Sequence, residues 1–123
     1  MPYTLTLEPA FVRIVLHGAL IPQDLHTLAD ELAAIDMQQA VAPHRLIDMR
    51  PVTAPYLTYP DIQGYIARRE AQPLANAVKV AVVASRPIHL GFARMYQNLN
   101  QRPQMAVEVF ATVEVAETWL CAE

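Results

Sequence analysis

The chain of 123 residues is 54% hydrophobic and 17% charged, the make-up of one compact domain over residues 1–123 with a single core, and it leaves no length for a second catalytic or regulatory module. Nine Lys and Arg against twelve Asp and Glu give a formal charge of −3, and the cations are scattered, so a footprint for phosphate backbones is missing and nucleic acid is not an expected partner. Cys121 is alone, which excludes a disulfide framework and CxxC sites; no apolar run approaches the roughly 20 residues of a membrane span, and no basic-then-apolar segment opens the chain, so a cytoplasmic protein is expected.

Tyr3, Leu5 and Leu7 alternate with Thr4, Thr6 and Glu8, the period of two of a half-buried strand. The turn signal Pro9-Ala10 leads to a second strand, Phe11 to His17, which predicts an antiparallel hairpin. Gly18 breaks this pattern. From Pro22 the spacing of Leu25, Leu28, Leu32 and Ile35 is that of a helix with one apolar stripe, with Pro22 and Asp24 suited to its first turn. His44 to Arg50 reads as a third strand, parallel to the second because a helix with short links separates them. Pro51 to Thr58, with Thr53 and a second proline inside it, reads as a loop.

A helix is predicted from about Tyr59 to Ala71, then the linker Gln72-Pro73, then the β-branched run Val78 to Ala84, the clearest strand in the chain. Ser85-Arg86-Pro87 starts a third helix with Phe92, Met95, Tyr96 and Leu99 inward, and Arg102-Pro103 stops it. Met105 to Ala111 is the fifth strand. Thr112 suits the N-cap of a last helix that turns Val115, Ala116, Trp119 and Leu120 inward, Trp119 being the anchor that pins it to the sheet. The order β, β, α, β, α, β, α, β, α predicts an α/β domain with a five-stranded, mostly parallel sheet whose N-terminal strand is antiparallel.

Each strand carries charge or hydroxyls on one side and aliphatic residues on the other, which predicts helices mainly on one face. The second face would present Phe11, Arg13, Val15, Lys79, Ala81, Val83, Glu108 and Phe110, apolar enough to contact a second copy or another protein. The plainer alternative is that a loop or the chain's own ends cover part of it.

The three glycines are too far apart for a phosphate-cradling loop, and His17, His26, His44 and His89 lack metal-ligand spacing, so they read as surface or element-end residues. No cofactor is expected. Ser85, the only serine, follows a parallel strand at the end where α/β ligand sites gather, or else caps the third helix. Asp48 lies among Leu46, Ile47 and Met49 near the carboxyl end of its strand. A carboxylate there is either functional or bonded to N–H groups of the following loop, Arg50 to Ala54. Arg68 and Arg69 either meet an anion or answer the dipole of their helix.

Three stretches, Leu46-Ile47-Asp48-Met49-Arg50, Val80-Ala81-Val82-Val83 and Ala116-Glu117-Thr118-Trp119-Leu120, with the order of elements, resemble the STAS-like superfamily in its SpoIIAA-like branch. That resemblance implies a non-enzymatic protein-interaction or regulatory domain. Members of the superfamily carry, after the equivalent of Asp48, a serine phosphorylated by a partner kinase. Here the stretch reads Tyr56-Leu57-Thr58-Tyr59, so Thr58 alone offers a hydroxyl, and Thr58 with Asp61 also fits a capping box.

The leading expectation is thus an interaction domain, self-associating as a homodimer or joined to another protein, with Asp48, Thr53, Thr58 and Ser85 as a loop site. The alternative is a small-ligand binder, holding a lipid or nucleotide near the loops against Tyr56, Tyr59, Tyr65, Phe92 and Tyr96.

Overall fold

A computed structural model describes residues 2–122. The elements run β1 (Tyr3–Leu7), β2 (Phe11–Leu16), β3 (Gly18–Leu20), α1 (Pro22–Gln38), β4 (His44–Asp48), β5 (Val52–Pro55), α2 (Tyr59–Glu70), β6 (Val78–Val83), α3 (Pro87–Leu99), β7 (Met105–Phe110) and α4 (Val113–Cys121). The main sheet has the order β1-β2-β4-β6-β7, with β1 antiparallel to β2 and the rest parallel. Each crossover adds its strand on the same side of the last, so right-handed connections carry α1, α2 and α3 to one face. There Val12 and Ile14 of β2, Val80 and Val82 of β6 and Val107 of β7 form one core with Leu28 and Leu32 of α1 and Ala93 of α3.

The other face is not open. Phe11, Leu46, Ala81 and Val83 are buried against Ala116 and Leu120 of α4, which packs across β4, β6 and β7. Helices that link two parallel strands are confined by crossover handedness, whereas no strand follows α4 among the described residues, and it takes the apolar surface still exposed. The charges expected to face a partner serve the chain's own end: Arg13 pairs with Glu8 and with Glu117 of α4, and Lys79 donates to backbone oxygens of α4's last turn. Val15, Arg13, Lys79 and Phe110 are half-buried and Glu108 is exposed. Within α4, Val115 points outward and Trp119 is only half-buried, contrary to the expected stripe.

The stretch expected to be a loop holds a strand. β5 pairs in parallel with β3 as a separate two-stranded sheet, Leu20 opposite Pro55. Gly18 makes this geometry accessible: its φ of 69° lies in the left-handed region, where side chains with a Cβ are disfavoured, and it swings the chain out of the main sheet. Gly18 N–H then donates to Pro51 O, and Tyr56 N–H to Leu20 O. Elements of three and four residues are too short to show a periodicity.

Thr58 caps α2 as expected: its Oγ accepts from Asp61 N–H, and the Asp61 carboxylate accepts from Thr58 N–H at 2.7 Å. Thr112 caps α4 through Val115 N–H. Ser85 does not cap α3; Arg86 holds that position without a side-chain bond. No helix among the described residues is long and apolar enough to cross a membrane.

Candidate functional site

The parallel strands end at one rim, where the links to the helix N-termini lie. Asp48 closes β4 there, and its buried carboxylate is fully engaged by one neighbour. Oδ1 accepts from Arg50 N–H at 3.0 Å and from Nε at 2.9 Å, and Oδ2 accepts from Nη2 at 2.9 Å. These bonds raise the pKa of Arg50 and hold it charged. The loop role foreseen for Asp48 is thus met by Arg50 alone, side chain and backbone together.

The other members of the expected loop site do not converge on it. Thr53 is exposed on β5, Thr58 is committed to its helix, and Ser85 is exposed just after β6. Among the described residues no hydrogen bond joins any two of Asp48, Thr53, Thr58 and Ser85. Nor does any group of three His, Cys, Asp or Glu among them lie close enough to share a metal ion.

Two histidines have internal duties. His44 Nδ1 accepts from Lys79 N–H at 2.9 Å, which sets its neutral Nε2–H tautomer. His89, read as an element-end residue, stands near the start of α3 but is buried, with Nε2 2.8 Å from Val52 O of β5. Arg69 is buried too. Its guanidinium and that of Arg45 share the carboxylate of Asp36, so neither Arg69 nor Arg68, which pairs with Asp30, is a free anion site.

Between the sheet and α1, α2 and α3 lies a cavity of about 60 Å³. Its floor is Leu16, Leu20, Ile47, Met49 and Val82, at the carboxyl ends of the strands, and its sides are Leu25, Leu28, Ile62, Tyr65, Phe92, Ala93 and Tyr96. Pro55, the last residue of β5, and Leu57 also line it, and both are half-exposed. The wall is entirely apolar. The Tyr65 and Tyr96 rings meet at 6.3 Å between centroids, and the Tyr96 hydroxyl points to Met105 Sδ. Burial raises the pKa of both phenols and keeps them neutral.

Tyr65, Phe92 and Tyr96 thus line a pocket as the ligand reading foresaw, whereas Tyr56 and Tyr59 stand outside on the surface. Leu20, Pro55 and Leu57 escaped the sequence reading. The one available signal was that apolar residues persist through a proline-rich link that a solvated loop would fill with polar ones.

No known protein family and no curated protein sequence matches this chain. The fold is nonetheless a known one. A crystal structure of an uncharacterised protein of the DUF3478 family with a SpoIIAA-like fold, from Shewanella loihica PV-4, superposes with a TM-score of 0.63 at 15% sequence identity, over 97% of this chain and 92% of that one. The chain has a SpoIIAA-like fold, as the resemblance of its sequence implied.

Proposed function

We propose that the protein is a non-enzymatic binding domain that takes a small apolar group or the end of a hydrocarbon chain into the slot that Pro55 and Leu57 help to line. The observation that carries this reading is the slot itself: an apolar cavity at the carboxyl ends of parallel strands, where α/β folds place their ligands. Cavities of this character stay dry and accept apolar guests. A nucleotide fits poorly, because its polar groups would be buried without partners. The protein-contact reading had two surfaces, the strand-to-helix loops and the sheet face, and α4 covers much of the second. Against catalysis stands the engagement of both Asp48 oxygens by Arg50.

The test is binding of xenon and of a fluorescent fatty acid by the protein and by its Ala93→Leu variant, with native mass spectrometry of protein purified from cells. Ala93 faces the slot from α3, and leucine there fills it. The parent should bind both probes, and the variant should fold, at a cost of no more than about 1–3 kcal/mol, and bind neither. Equal binding by the two proteins, or none by the parent, ends the proposal.

A further inference from the structure

The main sheet has two edges, and the chain treats them differently. Val78 N–H donates to Gln104 O and Ala84 N–H to Phe110 O, so along β7 the even-numbered residues bond β6 while Met105, Val107 and Val109 face away. Most of that outward ladder is taken. Asn100, just after α3, donates its side-chain amide to Met105 O at 3.1 Å, Gln97 of α3 donates to Val107 O at 2.9 Å, and Met105 N–H donates to Arg102 O. A strand arriving at β7 would find its partners occupied.

The opposite edge, β1, carries no such cover. Its bonds to β2 run from Pro2 O, which accepts the His17 N–H, to Glu8 N–H, which donates to Phe11 O. Antiparallel pairs alternate, so the N–H and C=O groups of Tyr3, Leu5 and Leu7 point away from β2. Among the described residues no side chain or loop bonds them. The sequence Tyr-Thr-Leu-Thr-Leu has no charge and no proline, and its register with β2 has no bulge, so the usual means of keeping a second strand off are missing. Thr4 and Thr6 are exposed, and Leu7 is 56% exposed.

We infer that β1 is an interface for a second copy of this chain, the two strands pairing antiparallel about a two-fold axis at Leu5. The strand is its own complement. About that axis Leu5 exchanges both backbone bonds with the partner's Leu5, and Tyr3 and Leu7 do so with the partner's Leu7 and Tyr3, which satisfies every outward group. Side chains directly opposite share a face: Leu7 meets the partner's Tyr3 on the side of α1 to α3, and Thr4 meets the partner's Thr6 on the other. A second copy is favoured over a foreign strand because this alternation matches itself, leucine against leucine and threonine against threonine, with no charge left to pair. Glu31, which accepts the Tyr3 hydroxyl, does not oppose the pairing. The two Tyr3 positions stand about 14 Å apart along the ladder, beyond the reach of strong repulsion. The assembly also closes: with β1 consumed and β7 capped, growth stops at two copies and one continuous sheet.

Five residues bury little area, which places the pair among weak, reversible interfaces, so sedimentation equilibrium from roughly 5 to 500 μM is the measurement. The parent should pass from monomer to dimer across this range. Thr4→Lys with Thr6→Lys, and Thr4→Glu with Thr6→Glu, each set like charges opposite one another across the axis and should raise the dissociation constant roughly tenfold or more. Both positions are exposed, so circular dichroism should match the parent. An equimolar mixture of the two variants sets Lys against Glu at both pairs and should dimerise again. A parent that stays monomeric throughout overturns the interface and leaves the edge to an extended strand of another protein. Dimerisation undiminished in both variants places the contact elsewhere and overturns it too, and a mixture no more associated than its components overturns the register about Leu5. Should one double variant lose its fold, Leu7→Lys, at an exposed edge position, replaces it in the comparison with the parent.

Discussion

Lys79 Nζ donates to the carbonyl oxygen of Trp119 at 2.9 Å and stands 5.3 Å from the centre of the Trp119 ring. With a further bond to Ala122 O, one cation from β6 closes the negative end of α4, the helix that covers the outer face of the sheet. Lys79→Met keeps the aliphatic stem and removes the charge. It should lower stability by about 1 kcal/mol and let the end of α4 fray. Trp119 is the single tryptophan, so its emission should move to longer wavelength before global unfolding in a urea titration.

Two of the apolar residues of α4, Leu120 and Val115, should respond differently. Leu120 is buried on Ala81 and Val83, and Leu120→Ala should cost about 2–4 kcal/mol through the cavity it leaves. Val115 is exposed, and Val115→Ala should stay within about 0.5 kcal/mol of the parent. Equal losses in chemical denaturation would contradict the packing of this helix.

Asp48 and Arg50 form an unequal pair, the side chain of the first being 8% and of the second 45% exposed. Asp48→Ala strips three bonds from the Arg50 backbone and side chain and should cost about 2 kcal/mol. Arg50→Met leaves its own N–H on Oδ1 but strips the buried Oδ2 of its partner, and should cost somewhat more, about 3 kcal/mol. Thermal melts of the two variants check this ordering.

Among the described residues Asp36 is the only carboxylate bonded to the buried guanidiniums of Arg45 and Arg69. Asp36→Ala leaves two buried cations uncompensated and should destabilise the fold by about 3–5 kcal/mol. Replacing all three residues by apolar ones of similar volume should recover most of that loss, as measured by urea unfolding.

Burial, with smaller repulsions from Lys79 and Arg45, lowers the pKa of His44 from its usual 6.5. The native state therefore takes up a proton less readily than the unfolded chain. The contribution of His44 is complete above about 6.5 and declines as the pH falls from there toward the native value. His44→Ala should be least stable relative to the parent at neutral pH, because Lys79 N–H loses its acceptor, and the gap should shrink between pH 7 and 5. Urea midpoints across that range give the comparison.

Much of the architecture was legible because it depends on local order. The alternation in Tyr3 to Glu8, the helical spacing from Leu25 to Ile35, the β-branched run at Val78 and the caps at Thr58 and Thr112 each act over a few residues. The rule of right-handed crossovers then arranges five strands without further information. The bond from Arg50 N–H to Asp48 was equally readable, since it spans two residues.

What the chain's order determined by itself is the five strands of the main sheet and the four helices, their parallel succession and the three helices on one flank. Where α4 settles, the pairing of β3 with β5 and the slot beside Leu57 were decided only by tertiary structure. They depend on contacts between residues far apart in sequence, Arg13 with Glu117 or Leu20 with Pro55, and burial is non-directional: it rewards any partner that removes apolar surface from water without encoding which one in the local pattern.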